Sequence, residues 1–182
     1  MKKLLLIVTN TGMYASGRLK TGLWLSEQTH IYHSAIEKGW DITIASPKGG
    51  MVPIDPESLK PLVLDKISKH YYESPAFMDE LNHSKSLEAI KNDTFDCVYL
   101  AGGHGTMYDF PDDVTLQSII SNQYEQGKMV AAICHGVGGL LNVKLSNGEY
   151  LIKGKSMTGF DWFEETLARR KREVPFNLEA AI

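Results

Sequence analysis

Cysteine is scarce in this chain: Cys97 and Cys134 are the only two among 182 residues. So few thiols make no disulfide framework, and they suit a reducing compartment, so a cytoplasmic location is expected. Long apolar runs are missing as well. None approaches the roughly 20 residues that a membrane span requires, and the short run in the opening "KLLLIVTN" has no small-residue cleavage site after it. That run reads as a first strand, not a signal peptide. Positive charge is not in excess: the formal net charge is −3, and lysines and arginines are scattered apart from "ARRKRE" at 168–173. No basic stripe is available to neutralise phosphates, so no nucleic-acid partner is expected. The glycines of "HGVGG" at 135–139 lack the G-x-G-x-x-G spacing and later acidic residue of a dinucleotide fold. Internal repeats and low-complexity tracts are absent.

What is present suits one compact α/β unit. With 43% hydrophobic and 23% charged residues, the chain can build one good core, and residues 1–182 are read as a single domain. "KLLLIVTN" and "WDITIASP" are continuous enough to be strands buried on both faces, and "SEQTHIYHSAIEKG" between them reads as a helix with Ser26 as N-cap and Gly39 at its stop. "FDCVYLAGG", "DDVTLQSIISNQYEQG" and "KMVAAIC" repeat the alternation as strand, helix and strand. This order predicts a mostly parallel sheet with helices on both faces, a flavodoxin-like three-layer sandwich. Between about 47 and 93 the pattern loosens into Pro, Gly and aromatics, which reads as a small lid or insertion. "NGEYLIKGKSMTG" predicts a short hairpin and "DWFEETLARRKRE" a helix.

The chemistry centres on "MVAAICHGVGGL" at 129–140. In open α/β sheets reactive groups gather at the carboxyl ends of strands, and Cys134 is placed at one such end. Small residues after it allow the sharp strand-to-helix bend of a nucleophile elbow, and a following helix N-terminus is expected to lower the thiol pKa. Cys97, inside "FDCVYL", reads as a small buried hydrophobe. A second glycine loop, "AGGHG" at 101–105, sits past another strand and offers backbone N–H groups to an oxyanion. Glu27, His30 and His33 are spaced three apart on one predicted helix, a pattern that drifts around the axis and makes a weak metal face.

"AGGHG", "AICHG" thirty residues on, "ASPKGG", "VPIDP" and "KSMTGF" together resemble the ThiJ/PfpI superfamily, whose fold is that of class I glutamine amidotransferases. With "TGLWLSE", the likeness is to its branch of glyoxalase III enzymes and heat-shock chaperones. The resemblance implies Cys134 as nucleophile, Glu27 as the carboxylate beside it, His135 as its imidazole neighbour, and Glu165 or the adjacent Glu164 as the third acidic residue. It implies an oxyanion site from Gly103 and the N–H of His135. The activity implied is conversion of methylglyoxal to lactate without glutathione, metal or other cofactor, on a small aldehyde substrate. Two other readings stand beside it. One is a holdase that offers the aromatics of "KHYYESPAFM" to unfolded clients. The other is a cysteine hydrolase or amidotransferase, although the late His-x-Glu pair of true amidotransferases is lacking because no histidine follows His135. Members of this branch continue beyond the point where "VPFNLEAAI" ends here, so the last part of the family fold is expected to be missing. An uncovered sheet edge would then favour a homodimer.

Overall fold

The computed structural model describes residues 1–182. Strands β1 (Lys3–Ile7) and β2 (Asp41–Ser46) are joined by helix α1 (Leu25–Glu37). After a 3-10 turn at Pro56–Leu59 come α2 (Lys66–Tyr72), α3 (Pro75–Asn82), the two-residue β3 (Lys85–Ser86) and α4 (Leu87–Ile90). Then follow β4 (Cys97–Leu100), α5 (Thr106–Asp109), α6 (Val114–Glu125) and β5 (Met129–Ala132). Beyond a 3-10 segment at Cys134–Leu140, α7 (Trp162–Ala168) and α8 (Leu178–Ala181) complete the chain. All five strands run parallel in the order β3-β2-β1-β4-β5.

Burial of β1 on both faces explains its unbroken apolar run. Leu5 and Ile7 enter one core with Val98, Leu100, Phe110 and Ile120. Leu4, Leu6 and Val8 enter the other with Leu25, Tyr32, Tyr71 and Phe77. The alternation of one residue up and one down makes β1 the centre of three layers. Because the chain leaves β1 toward β2 on one side and β4 lies on the other, the carboxyl ends of β1 and β4 flank a topological switch point.

Four local readings need correction. Helix α1 begins at Leu25 with Trp24, not Ser26, as its N-cap, and no side chain caps it. Its start is fixed from outside: the Trp24 N–H donates to the Gly102 carbonyl at 3.1 Å, and the Leu23 N–H to that of Pro53 at 2.8 Å. In place of the hairpin at 147–159 there is one antiparallel bridge, Lys144 to Tyr150, around a turn made tight by Gly148 at φ +82°. The last charged helix stops at Ala168, where Arg169 turns left-handed (φ +58°) and ends the run of like charges as a helix. Strand β5 stops at Ala132, two residues before Cys134.

The stretch 47–93 supplies the edge strand β3 and packs Tyr71 and Phe77 against α1, while Tyr72 stays exposed. Tyr71 and Phe77 are buried there, and both lie edge-on or tilted to Tyr32 and each other at 5.0–5.2 Å. Those two rings therefore stabilise a helix interface and do not face the cysteine.

Candidate active site

Cys134 follows β5 at φ +53°, a left-handed conformation that a residue with a side chain adopts only where its surroundings enforce it. Here glycine packing enforces it. A Cβ on Gly136 would stand 2.6 Å from the Leu100 carbonyl oxygen, and one on Gly102 would stand 2.8 Å from that of Ile133 and 3.0 Å from Cys134 Cβ. The two glycine loops thus lie backbone against backbone, with the sulfur held above the sheet in a nucleophile elbow. The backbone N–H groups of Gly103 and His135 lie near the Cys134 sulfur and favour its thiolate. Gly103 reaches this geometry at φ +101°, and a Cβ there would overlap the Gly22 carbonyl oxygen.

Glu27 comes from the first turn of α1, the third helical residue after Trp24. Such a position ordinarily satisfies free helix N–H groups. Instead its Oε2 accepts the Gly102 N–H at 2.7 Å, and the carboxyl lines the same cavity as the Cys134 thiol. Burial pushes the Glu27 carboxyl up to about 7, against the Gly102 N–H and the neighbouring thiol. Burial and then the charge of Glu27 push the Cys134 thiol well above its ordinary 9, overriding the two backbone N–H groups. The expected lowering by a helix N-terminus is therefore overturned. The segment after Cys134 is a short 3-10 helix, whose dipole is weaker than these two opposing effects. Near neutral pH the resting thiol keeps its proton and Glu27 is the group poised to take it.

On the opposite side stands a second set of titratable groups. His135 Nδ1 lies 3.2 Å from Cys134 Sγ, and its Nε2 lies 2.8 Å from Glu165 Oε1. Glu165 Oε2 is 3.2 Å from His104 Nε2. Burial would raise Glu165, yet hydrogen bonds from His104 and His135 outweigh it and hold the carboxylate at about 2. Burial lowers His135 to about 4, so its imidazole is neutral at pH 7. An ionised Glu165 can only accept, so His135 donates Nε2–H and presents a bare Nδ1 to the thiol. The two neighbouring glutamates differ in place: Glu165 is 2% exposed beside His104 and His135, whereas Glu164 closes a capping box with Asp161 at the helix surface.

His104 is the member that the sequence reading passed over, because "AGGHG" draws attention to its glycines. Its signal was the histidine in the middle of that loop. The spaced set of Glu27, His30 and His33 does not converge: His30 pairs with Asp65 at 3.0 Å and His33 with the Tyr71 hydroxyl at 3.1 Å. The group with metal-ligand spacing is His104, His135 and Glu165, whose donor atoms lie within 4.8 Å of one another. Both Glu165 oxygens are already occupied by imidazole N–H groups, so this trio works as a hydrogen-bonded relay.

A cavity of about 250 Å³ opens on Cys134, Glu27 and Gly103, with Trp24, His135 and Phe160 around it. Phe160 lies over His135 at 4.4 Å between ring centroids. A half-buried thiol, an acid/base on one side, a neutral imidazole on the other and two backbone N–H groups nearby form the equipment of an addition to a carbonyl.

A family model for DJ-1/PfpI proteins matches residues 25–174, which hold every one of these groups. This chain belongs to the DJ-1/PfpI family. Among curated relatives it is similar to Glyoxalase 3 of Candida albicans, 33% identical over 165 residues that cover 88% of this chain and 69% of that one. It is also similar to the glutathione-independent glyoxalase HSP31 of Saccharomyces cerevisiae, 32% identical with 91% and 71% covered. Among solved structures, the Rapid Encystment Protein 24 kDa of Francisella tularensis superposes with a TM-score of 0.94 at 38% identity, covering all of this chain and 80% of the other. Glyoxalase III from Candida albicans superposes with a TM-score of 0.83 at 32% identity, covering 94% and 73%. The predicted α/β sandwich and the glyoxalase III branch of the superfamily are thus the right ones.

Proposed function

We propose that this DJ-1/PfpI member is a glutathione-independent glyoxalase that converts an α-oxoaldehyde such as methylglyoxal to the corresponding 2-hydroxy acid. The observation that carries the reading is the Glu27 carboxyl and the Cys134 thiol lining one cavity with Gly103 and His135, whose Nδ1 lies 3.2 Å from the sulfur.

Each group has a step. Cys134 Sγ adds to the aldehyde carbon while Glu27 takes the thiol proton, and the carbonyl π pair moves to an oxygen steadied by the Gly103 and His135 N–H groups. The product of this step is a hemithioacetal. A proton then leaves C1 and one returns to C2 through an enediol, with Glu27 as the acid/base whose pKa near 7 suits both directions. The result is a thioester of Cys134. Water cleaves it, with neutral His135 placed to accept the water proton and Glu165 steadying the imidazolium that forms. The thiol leaves protonated, so the sum is one oxoaldehyde plus one water giving one hydroxy acid.

The arrangement Cys134, His135 and Glu165 also matches the triad of an acyl-transfer hydrolase. In the glyoxalase reading it serves the second half of the cycle, since thioester hydrolysis is itself acyl transfer. The holdase reading draws on the aromatics of 47–93, of which Tyr71 and Phe77 are buried and Tyr72 is exposed.

The test is lactate formation from methylglyoxal without glutathione, with the modification state of Cys134 followed by intact-protein mass. Turnover that disappears in Cys134→Ala supports the reading. Turnover that persists in that variant overturns it.

A further inference from the structure

A second cavity of about 160 Å³ shares Trp24, His104 and Ala168 with the cysteine chamber. Its far side is built from Tyr14, Asp55, Glu57 and Arg170. We propose that this second chamber is a substrate subsite for the tail of an uncharged, hydroxylated α-oxoaldehyde, with Arg170 and Glu57 as its specificity-determining residues. The inference rests on the glyoxalase reading and names the substrate class of that same site.

Size gives the first support. The cysteine chamber alone falls below the roughly 300–1,000 Å³ of small-molecule sites, and the second chamber brings the pair into that range. A three-carbon aldehyde leaves the outer chamber unused.

Polarity gives the second. Arg170 comes from the "ARRKRE" run, yet its side chain is only 18% exposed, with the guanidinium 5.7 Å from the Tyr14 ring centroid. Its nearest carboxylate oxygen is Glu57 Oε1 at 4.0 Å, beyond direct hydrogen-bond range; Tyr14 lies beside it, and a long 3.5 Å contact reaches the Arg169 carbonyl. Part of the guanidinium fork is thereby left for a ligand, with Glu57 Oε1 facing it while Glu57 Oε2 is held by Lys60 at 2.5 Å. Asp55 is already committed, its oxygens accepting from the Thr21 hydroxyl and the Glu57 N–H.

Charge gives the third. The carboxylates of Asp55 and Glu57 are balanced by the Arg170 guanidinium within the chamber and by Lys60, which pairs with Glu57 at 2.5 Å from outside it. A carboxylate or phosphate on the tail finds no excess positive charge here, and an apolar tail strands the donors of Arg170. Neighbouring hydroxyls, which donate to Glu57 and accept from Arg170, satisfy both.

The experiment compares kcat/KM for methylglyoxal, deoxyglucosone (hydroxylated tail), phenylglyoxal (apolar tail) and dioxovalerate (carboxylate tail) in wild type, Arg170→Met, Arg170→Lys and Glu57→Gln, with folding checked by melting. The expected result is a wild-type preference for deoxyglucosone over phenylglyoxal and dioxovalerate of about tenfold or more, one hydrogen bond's worth. Arg170→Met and Glu57→Gln should each reduce the deoxyglucosone to methylglyoxal ratio about tenfold, with Arg170→Lys intermediate. Equal losses on all four substrates, or a preference for dioxovalerate, overturn the proposal. Calorimetric binding to Cys134→Ala separates this claim from the function itself. If no oxoaldehyde is turned over, tighter binding of deoxyglucosone that Arg170→Met abolishes still supports the subsite, and equal affinities refute it.

Discussion

Two glutamates approach Cys134 from opposite sides, and the protein drives them in opposite directions. Glu27, on α1, sits against the thiol with one backbone N–H for company, and burial lifts it to about 7. Glu165, on α7, is 2% exposed, yet it receives an N–H from each of two imidazoles and is held at about 2. Burial acts on both; the number of charge-compensating donors decides which way each goes. The pair teaches how one small chamber can hold a carboxyl that exchanges protons next to one that never does. The first is suited to chemistry and the second to orientation.

The contrast breaks most completely on the thiol side. Cys134→Ala is expected to lower methylglyoxal turnover by at least about 10³-fold, and Glu27→Gln by about 10²- to 10⁴-fold, in a lactate assay. In the wild type kcat/KM should rise as pH passes through about 7, because Glu27 must be ionised to accept the thiol proton. A pH profile that rises at the same place in Glu27→Gln would remove Glu27 from the role.

Stability sharpens the comparison next. A carboxyl raised from 4.5 to about 7 favours the protonated form in the folded chain, so its contribution is full below pH 4.5 and is lost as pH rises through about 7. Glu165 works the other way, contributing above pH 4.5 and losing that contribution as pH falls toward about 2. His135, lowered from 6.5 to about 4, likewise loses its contribution as pH falls through that interval. Denaturant titrations should show Glu27→Gln gaining relative to wild type between pH 5 and 8, by no more than about 3 kcal/mol.

On the relay side smaller effects are expected. Glu165→Gln should reduce turnover about 10- to 100-fold, the worth of a hydrogen bond to a charged group. Because the loss falls on thioester cleavage, intact-protein mass during turnover should show an acyl adduct on Cys134 that the wild type does not accumulate. His104→Ala leaves Glu165 bonded to His135 and should change turnover by about tenfold or less. An equal loss in both variants would mean that His104 acts on the reacting atoms and not through Glu165.

The sheet and its order of elements were legible because β1, β2, β4 and β5 carry short apolar runs between helical periods, and local pattern suffices where both faces are buried. The nucleophile was legible for the same reason: "AICHG" carries its glycines beside it in the chain. His104 was not read, since its role depends on Glu165 sixty-one residues away. The start of α1 was misplaced because backbone contacts with Gly102 and Pro53, not a capping side chain, fix it. Glu164 and Glu165 could not be told apart along the chain, because what separates them is which face of α7 each occupies once Asp161 has capped it.

What the sequence by itself determined is the parallel α/β layering and the thiol at a strand end, both consequences of periodicity and of glycines adjacent to one another. Only the tertiary structure decided the protonation of the site. Whether a thiol rises or falls depends on its burial and on charges brought from α1 and α7, and these distances exist only after the chain has folded.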